Sequence, residues 1–245
     1  MTTPYDIRHD APATCRPVAG QDCAAHGICA LRGFARSNPA VFYRIVKHKH
    51  VFRRGEILFH AGQPFRYVCA IRSGSVKTYL CNEDGEAQVT GFWFAGELLD
   101  LNGIHRDSRA CVVEALEMTS VCELSTDDLQ QLFEDFPAAR IEMLKNMSAQ
   151  VHGAEELIRV IETKRTEQRL ALFLIEMSRR AGLRGLDDSE VRLTMSHTDL
   201  ASFLGMARET LSRALSRFDA VGLIAGRGEI VVLKDPEALH GLARG

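Results

Sequence analysis

The sequence predicts an α+β protein: a small antiparallel β-domain toward the N-terminus, one long helix, and a C-terminal helical domain closed by a short β-hairpin. Three observations predict it. From about residue 50 to 132, short alternating or β-branched runs are punctuated by Gly55, Gly62, Gly74, Gly85, Gly91, Gly96 and Gly103, a pattern of short strands and tight turns. After Pro137 the apolar residues recur every three or four positions, as on a helix. Farther on, two short amphipathic segments meet at Gly205. With 245 residues and 46% hydrophobic content, the chain can form one large domain or two modest ones, each with its own core.

Residues 1–35 carry Cys15, Cys23 and Cys29 among Ala, Pro and Gly, and read as loops. Residues 36–136 read as a compact antiparallel barrel or sandwich. Residues 137–165 form the long helix, with Pro137 suited to its first turn. Within it Leu144, Met147, Val151, Ala154, Ile158 and Ile161 follow one another at spacings of 3, 4, 3, 4 and 3, a heptad seam. A helix over 138–163 would be roughly 40 Å long, more than one small barrel covers. The expected cover is a second copy of the chain, the other option being the protein's own barrel. Gly153 lowers helix stability by about 1 kcal/mol relative to Ala, and Glu155 and Glu156 flank the seam. A contact of that kind is marginal and suits a switchable homodimer.

Residues 166–245 open with a buried-looking helix, Arg169–Met177. Ser196 and Asp199 then form a capping pattern, Leu200, Ala201 and Leu204 make an apolar stripe, and Gly205 stands where a helix ends in a left-handed residue. A second helix turns Leu211, Leu215 and Phe218 inward, which completes a helix-turn-helix. Leu223–Leu233, with Gly226 and Gly228, reads as two strands around a turn, the wing of such a motif. On the second helix Glu209, Ser212 and Arg213 share one face. Arginine can donate to guanine O6 and N7 and glutamate can accept from cytosine, each worth about 1–3 kcal/mol of discrimination. Arg208 and Arg217 flank that face and can take phosphates. The plainer alternative is a surface ion pair between Glu209 and Arg213; the preceding helix, the glycine and the wing favour double-stranded DNA.

The net charge of −2 excludes a uniformly basic protein, although residues 163–245 carry 13 basic against 11 acidic side chains. No apolar run approaches membrane-spanning length, and the N-terminus has no secretory pattern, so a cytoplasmic protein without a membrane partner is expected. Thiols stay reduced there, and seven cysteines, an odd number, read as metal ligands, redox groups or buried apolar residues. P-loop, HExxH, GxSxG and paired CxxC motifs are absent, and the nine histidines show no metal-ligand repeat, so no enzyme is expected.

Four stretches give the chain a resemblance to a known family: Arg54–Gly62 (RGEILFHAG), Ile71–Lys77 (IRSGSVK), Gly91–Leu98 (GFWFAGEL) and Arg208–Arg213 (RETLSR). They resemble the cyclic-AMP receptor protein and FNR superfamily of transcription regulators, along nearly the whole chain, and within it the FNR class. The resemblance implies an N-terminal β-roll of cyclic-nucleotide-binding type, a dimerisation helix and a winged helix-turn-helix. It implies that Glu209, Ser212 and Arg213 read a TTGAT-type half-site in a palindrome, and that a homodimer binds it. Ala207 stands where the family usually has a Ser or Thr cap, a loss of about 1 kcal/mol. The resemblance also implies a [4Fe-4S] cluster held by three N-terminal cysteines and one from the β-roll. Cys122 lies in a matching stretch (TSVCEL), and Cys23 and Cys29 have the family spacing. The first ligand departs: Gly20 occupies the usual position, and Cys15 is the nearest upstream thiol. The expected ligands are therefore Cys15, Cys23, Cys29 and Cys122, with His26 or Asp22 as substitutes for the odd one; zinc on the same thiols is the rival metal. Under low oxygen the cluster would favour the dimer, and its oxidation would end DNA binding at activated promoters. The turn Asn82–Glu86 corresponds to a patch that contacts RNA polymerase in the family. The alternative is a cyclic-nucleotide- or other small-molecule-responsive regulator without a cluster, with Glu97 on a ribose and Arg109 on a phosphate; Ala110, where that branch has Ser, argues against it.

Overall fold

The structure, a computed structural model, describes residues 46–82 and 85–244. Its first part is a roll of eight antiparallel strands: β1 (Val46–Phe52), β2 (Ile57–Phe59), β3 (Tyr67–Ser73), β4 (Ser75–Cys81), β5 (Ala87–Phe94), β6 (Leu98–Leu99), β7 (Val112–Ala115) and β8 (Thr119–Ser125). They form two four-stranded sheets, ordered β1-β8-β3-β6 and β2-β7-β4-β5. Side chains alternate across each strand, so both sheets contribute to one core containing Phe59, Cys69, Ile71, Val76, Leu99, Cys111, Val113 and Val121. The turn from β3 to β4 requires Gly74: its φ is +85°, and a Cβ there would lie 2.6 Å from the Met118 carbonyl oxygen.

Helix α1 (Thr126–Asp135) follows β8 directly, its first turn capped by Ser125, whose Oγ accepts from the Asp128 amide. The strand-rich punctuation of the sequence hid this helix. Phe136 leaves the helical region, and Pro137 restarts the chain as α2 (Pro137–Thr163). The foot of α2 closes a second core, where Ala139 and Met143 meet Val68, Leu124, Leu129 and Leu132. Gln150 donates to the Leu98 carbonyl at 2.9 Å, fastening the middle of α2 to the roll.

The C-terminal part contains α3 (Thr166–Leu183), β9 (Glu190–Arg192), α4 (His197–Phe203), α5 (Arg208–Ala220), β10 (Ile224–Ala225), β11 (Ile230–Leu233) and α6 (Pro236–Arg244). The wing is three-stranded, ordered β10-β11-β9; the sequence pattern supplied two strands and missed the three-residue β9 as well as α6. Leu170, Phe173 and Leu174 of α3 pack with Leu200, Leu211, Leu215 and Phe218, and this core continues into Val89, Phe92 and Phe94 of β5. One apolar interior thus joins the roll to the helix-turn-helix.

Candidate nucleic-acid interface and its control region

Helix α4 starts with the capping box anticipated from the sequence: Ser196 Oγ accepts from the Asp199 amide, and the Asp199 side chain accepts from the Ser196 amide. It ends in a Schellman turn, in which Met206 N–H reaches Ala201 O at 3.0 Å and Gly205 N–H reaches Ser202 O at 3.2 Å. Gly205 has φ +61°, the left-handed conformation this turn needs. Helix α5 then begins at Arg208, and Ala207 at its cap position makes no side-chain cap bond.

Helix α5 is two-faced. Leu211, Ala214, Leu215 and Phe218 are buried, while Arg208, Glu209, Ser212, Arg213 and Arg217 are exposed. Arg213 Nη2 donates to Thr210 Oγ1 at 3.3 Å, and among the described residues no ion pair joins it to Glu209, so the plain surface pair is not formed. Glu209, Ser212 and Arg213 remain on the open face, as a groove-reading helix requires. Arg217 differs: its Nη1 lies 2.8 Å from Glu167 Oε1, an ion pair linking α5 to α3. The sequence also gave no sign of Arg227, which reaches back from the wing to Asp219 at 3.3 Å and to Ser216 Oγ at 3.0 Å. These contacts set the wing beside the reading helix.

The seam of α2 divides between two faces. Leu144, Val151 and Ile158 are more than half exposed, in a stripe with Ile141, and Ala154 is also exposed. Met147 instead packs on the core at the foot of the helix, and Ile161 lies under the helix-turn-helix turn, where a Cβ on Gly205 would come within 3.5 Å of its Cγ2. A stripe spaced three and four apart is wide enough to serve both sides, and its edges face inward.

Of the expected cluster ligands, Cys15, Cys23 and Cys29 lie outside the described residues. Cys122 is half-buried in mid-β8, in register with Lys49 of β1 and Ala70 of β3. It packs on the same core as Met143, Met147, Phe133 and Phe136. Cys69 and Cys111 behave differently. Burial pushes both thiols up to about 12, which makes them poor sources of a thiolate ligand. Cys81, at the end of β4, is exposed. Cys122 and Cys81 are therefore more accessible than the two interior thiols. Among the described residues no three His, Cys, Asp or Glu side chains gather as a metal site.

The two residues of the cyclic-nucleotide alternative, Arg109 and Glu97, have different surroundings. Arg109 is only 3% exposed, and its guanidinium sits over the rings of Phe59, Phe65 and Tyr67 at 4.0, 4.8 and 4.6 Å. Asp100 Oδ2 lies 3.6 Å away, and burial raises that carboxyl's pKa against the pull of Arg109. Glu97 pairs with Arg180 of α3 and accepts from the Phe94 amide at 2.9 Å. Glu97 is thus held by protein partners, whereas Arg109 Nη1 and Nη2 and Asp100 Oδ2 are buried without a hydrogen-bond partner among the described residues. In the turn Asn82–Glu86, the Asn82 side chain accepts from the Glu86 amide at 2.7 Å, and residues 83–84 lie outside the described residues.

A polar belt surrounds the shared core. Lys77 Nζ lies 2.8 Å from Asp199 Oδ1 and 3.3 Å from Glu114 Oε1. Ser75 Oγ donates to Thr194 Oγ1 at 2.9 Å, Gln88 Nε2 to Ser202 O at 2.6 Å, and Val89 N–H to Ser202 Oγ at 3.1 Å. Burial pushes the Asp199 carboxyl up, yet hydrogen bonds from Lys77 and Ser196 outweigh it and hold the group below the usual carboxylate range. No helix of the described residues is long and apolar enough to cross a membrane.

Comparison with known proteins agrees with this geometry. Residues 49–136 match the cyclic nucleotide-binding domain and residues 168–242 the Crp-like helix-turn-helix domain. The chain is 34% identical over 245 residues to the transcriptional activator protein Anr of Pseudomonas protegens, covering 100% of this chain and 98% of that one. It is 34% identical over 223 residues to the fumarate and nitrate reduction regulatory protein of Escherichia coli, covering 91% and 89%. The solved structure of FixK2 from Bradyrhizobium japonicum superposes with a TM-score of 0.72 at 26% identity, covering 80% of this chain and 96% of that one. The two sequence relatives are named as regulators, not enzymes.

Proposed function

From membership of the CRP/FNR family of transcription regulators, to which this chain belongs, we propose an oxygen-responsive activator whose dimerisation, and so its reading of a TTGAT-type palindrome, depends on a [4Fe-4S] cluster. Glu209, Ser212 and Arg213 read bases, and Arg208 takes phosphate. Arg217, already paired with Glu167, holds the reading helix in place and can also face the DNA backbone.

The observation that carries this reading is the position of Cys122 on the core that seats the foot of α2. A cluster held by Cys15, Cys23, Cys29 and Cys122 would supply an oxygen-labile tie between the N-terminal segment and β8. The chain does the rest. Cys122 anchors β8, β8 packs against Met143 and Met147, and these fix how α2 presents Leu144, Val151 and Ile158 to a second copy. A seam interrupted by Gly153 is weak enough for a few kcal/mol to move it between open and closed. When it closes, two α5 helices fall about one turn of DNA apart, roughly 34 Å.

Oxygen-free purification tests the reading. The brown protein should contain four iron and four sulfide per chain, and air should bleach it and abolish palindrome binding together. A colourless anaerobic protein, or one containing zinc, that binds the same DNA equally well in air contradicts it.

A further inference from the structure

Helix α3 contains Arg169, and the acceptors of its guanidinium are main-chain carbonyls from two different helix ends. Nε donates to Lys164 O at 2.9 Å, and Nη2 donates to Ile161 O. Nη1 donates to Leu204 O and Gly205 O, each at 3.1 Å. Ile161 and Lys164 belong to the last turn and the cap of α2. Leu204 and Gly205 are the cap and the left-handed residue that end α4, Gly205 lying two positions before the Ala207 cap of α5.

The last carbonyls of a helix have no partner within it and carry the negative end of its dipole. Two such ends brought together repel unless a cation lies between them. Arg169 is that cation, and its rigid planar fork fixes the two ends relative to each other as well as neutralising them. A second observation points the same way. A Cβ on Gly205 would meet Arg169 Nη1 and Ile161 Cγ2, both at 3.5 Å, so the turn of the helix-turn-helix rests directly on the end of the dimerisation helix.

We infer that Arg169 is a positioning residue for DNA reading: by clamping the end of α2 to the turn before α5, it makes the angle of each reading helix follow the dimer seam. The inference rests on the proposed dimeric reading of a palindrome. A residue that only stabilised the fold would weaken all DNA binding alike. A clamp that aligns two reading heads acts only when both heads engage the same duplex.

The test uses full-length, anaerobically purified protein with Arg169→Gln and Arg169→Lys. Lysine keeps the positive charge near both helix ends but, as a point donor, cannot hold the four carbonyls in a fixed fork. Sedimentation gives the dimer constant, and fluorescence anisotropy gives affinity for duplexes with one TTGAT half-site and with two as an inverted repeat. In both variants, dimerisation and half-site affinity should stay within about threefold of the unaltered protein, while the preference for two half-sites over one falls about tenfold or more. Should the glutamine variant fail to fold, the lysine variant supplies the same ratio. Equal losses on both duplexes, or an unchanged preference, overturn the inference. If the unaltered protein shows no preference for the palindrome, the underlying dimer reading fails instead.

Discussion

Single side chains decide whether the proposed switch can work, and Cys122 is the most exposed to test. Cys122→Ser should leave the fold intact, because the residue is half-buried in mid-strand, while abolishing the visible absorbance of anaerobic protein; retained absorbance would remove it from the ligand set. Cys69→Ser and Cys111→Ser should keep the absorbance, since burial holds both thiols at about 12. Ala207 offers a gain. It occupies the cap position of α5 with extended backbone, φ −69° and ψ 146°, and without a side-chain acceptor. Ala207→Ser should stabilise the helix by about 1 kcal/mol, read as a raised thermal midpoint with unchanged sequence preference. The Lys77–Asp199 pair has a defined pH window. The Asp199 carboxyl is depressed on folding, so its contribution is complete above the ordinary carboxylate range and fades as pH falls through the folded value. The Lys77 pKa is raised, against the effect of burial, by Asp199 and Glu114, so its contribution is complete below the ordinary lysine value and fades as pH rises through the folded one. Asp199→Asn should cost about 1–2 kcal/mol at neutral pH and reduce the acid sensitivity of unfolding.

At the scale of elements, the proposed function gives α2 and α5 separable jobs. Val151 is 60% exposed in the middle of the α2 stripe, so Val151→Asp should leave the protomer folded and prevent its pairing, seen as a monomer in sedimentation with half-site affinity retained. These two helices were largely legible in the sequence, because an amphipathic period and a glycine at a helix end are local signals. The assignment of Leu211, Leu215 and Phe218 to the interior, the capping box at Ser196 and the left-handed Gly205 all follow from such signals. What could not be read needed the third dimension. Met147 and Ile161 share the spacing of Val151 yet face inward, since periodicity gives a stripe and not its two edges. Helix α1 was obscured by the glycine-punctuated strands before it. Arg169, Arg217 and Arg227 make contacts across 36, 50 and 11 positions of sequence, distances at which one chain's sequence contains no pairing signal.

Across the whole molecule, the roll and the helix-turn-helix behave as one body in this structure. Phe92 of β5 meets Phe203 at 5.1 Å and Phe173 at 6.2 Å between ring centroids, and the belt from Lys77, Gln88 and Arg180 surrounds that contact. Thermal unfolding should accordingly be a single transition, and Phe92→Ala should lower it by about 3–5 kcal/mol of stability; two separate transitions would show that the domains are independent. The same continuity explains how a change at β8 can reach α5: β8 seats α2, and the end of α2 lies under the turn that positions the reading helix. The most direct measurement is sedimentation velocity of anaerobic protein, repeated after air exposure, with palindromic DNA binding followed on the same samples. The account predicts a DNA-binding dimer that becomes a non-binding monomer as the brown colour disappears. A dimer that persists in air with undiminished palindrome affinity would contradict it.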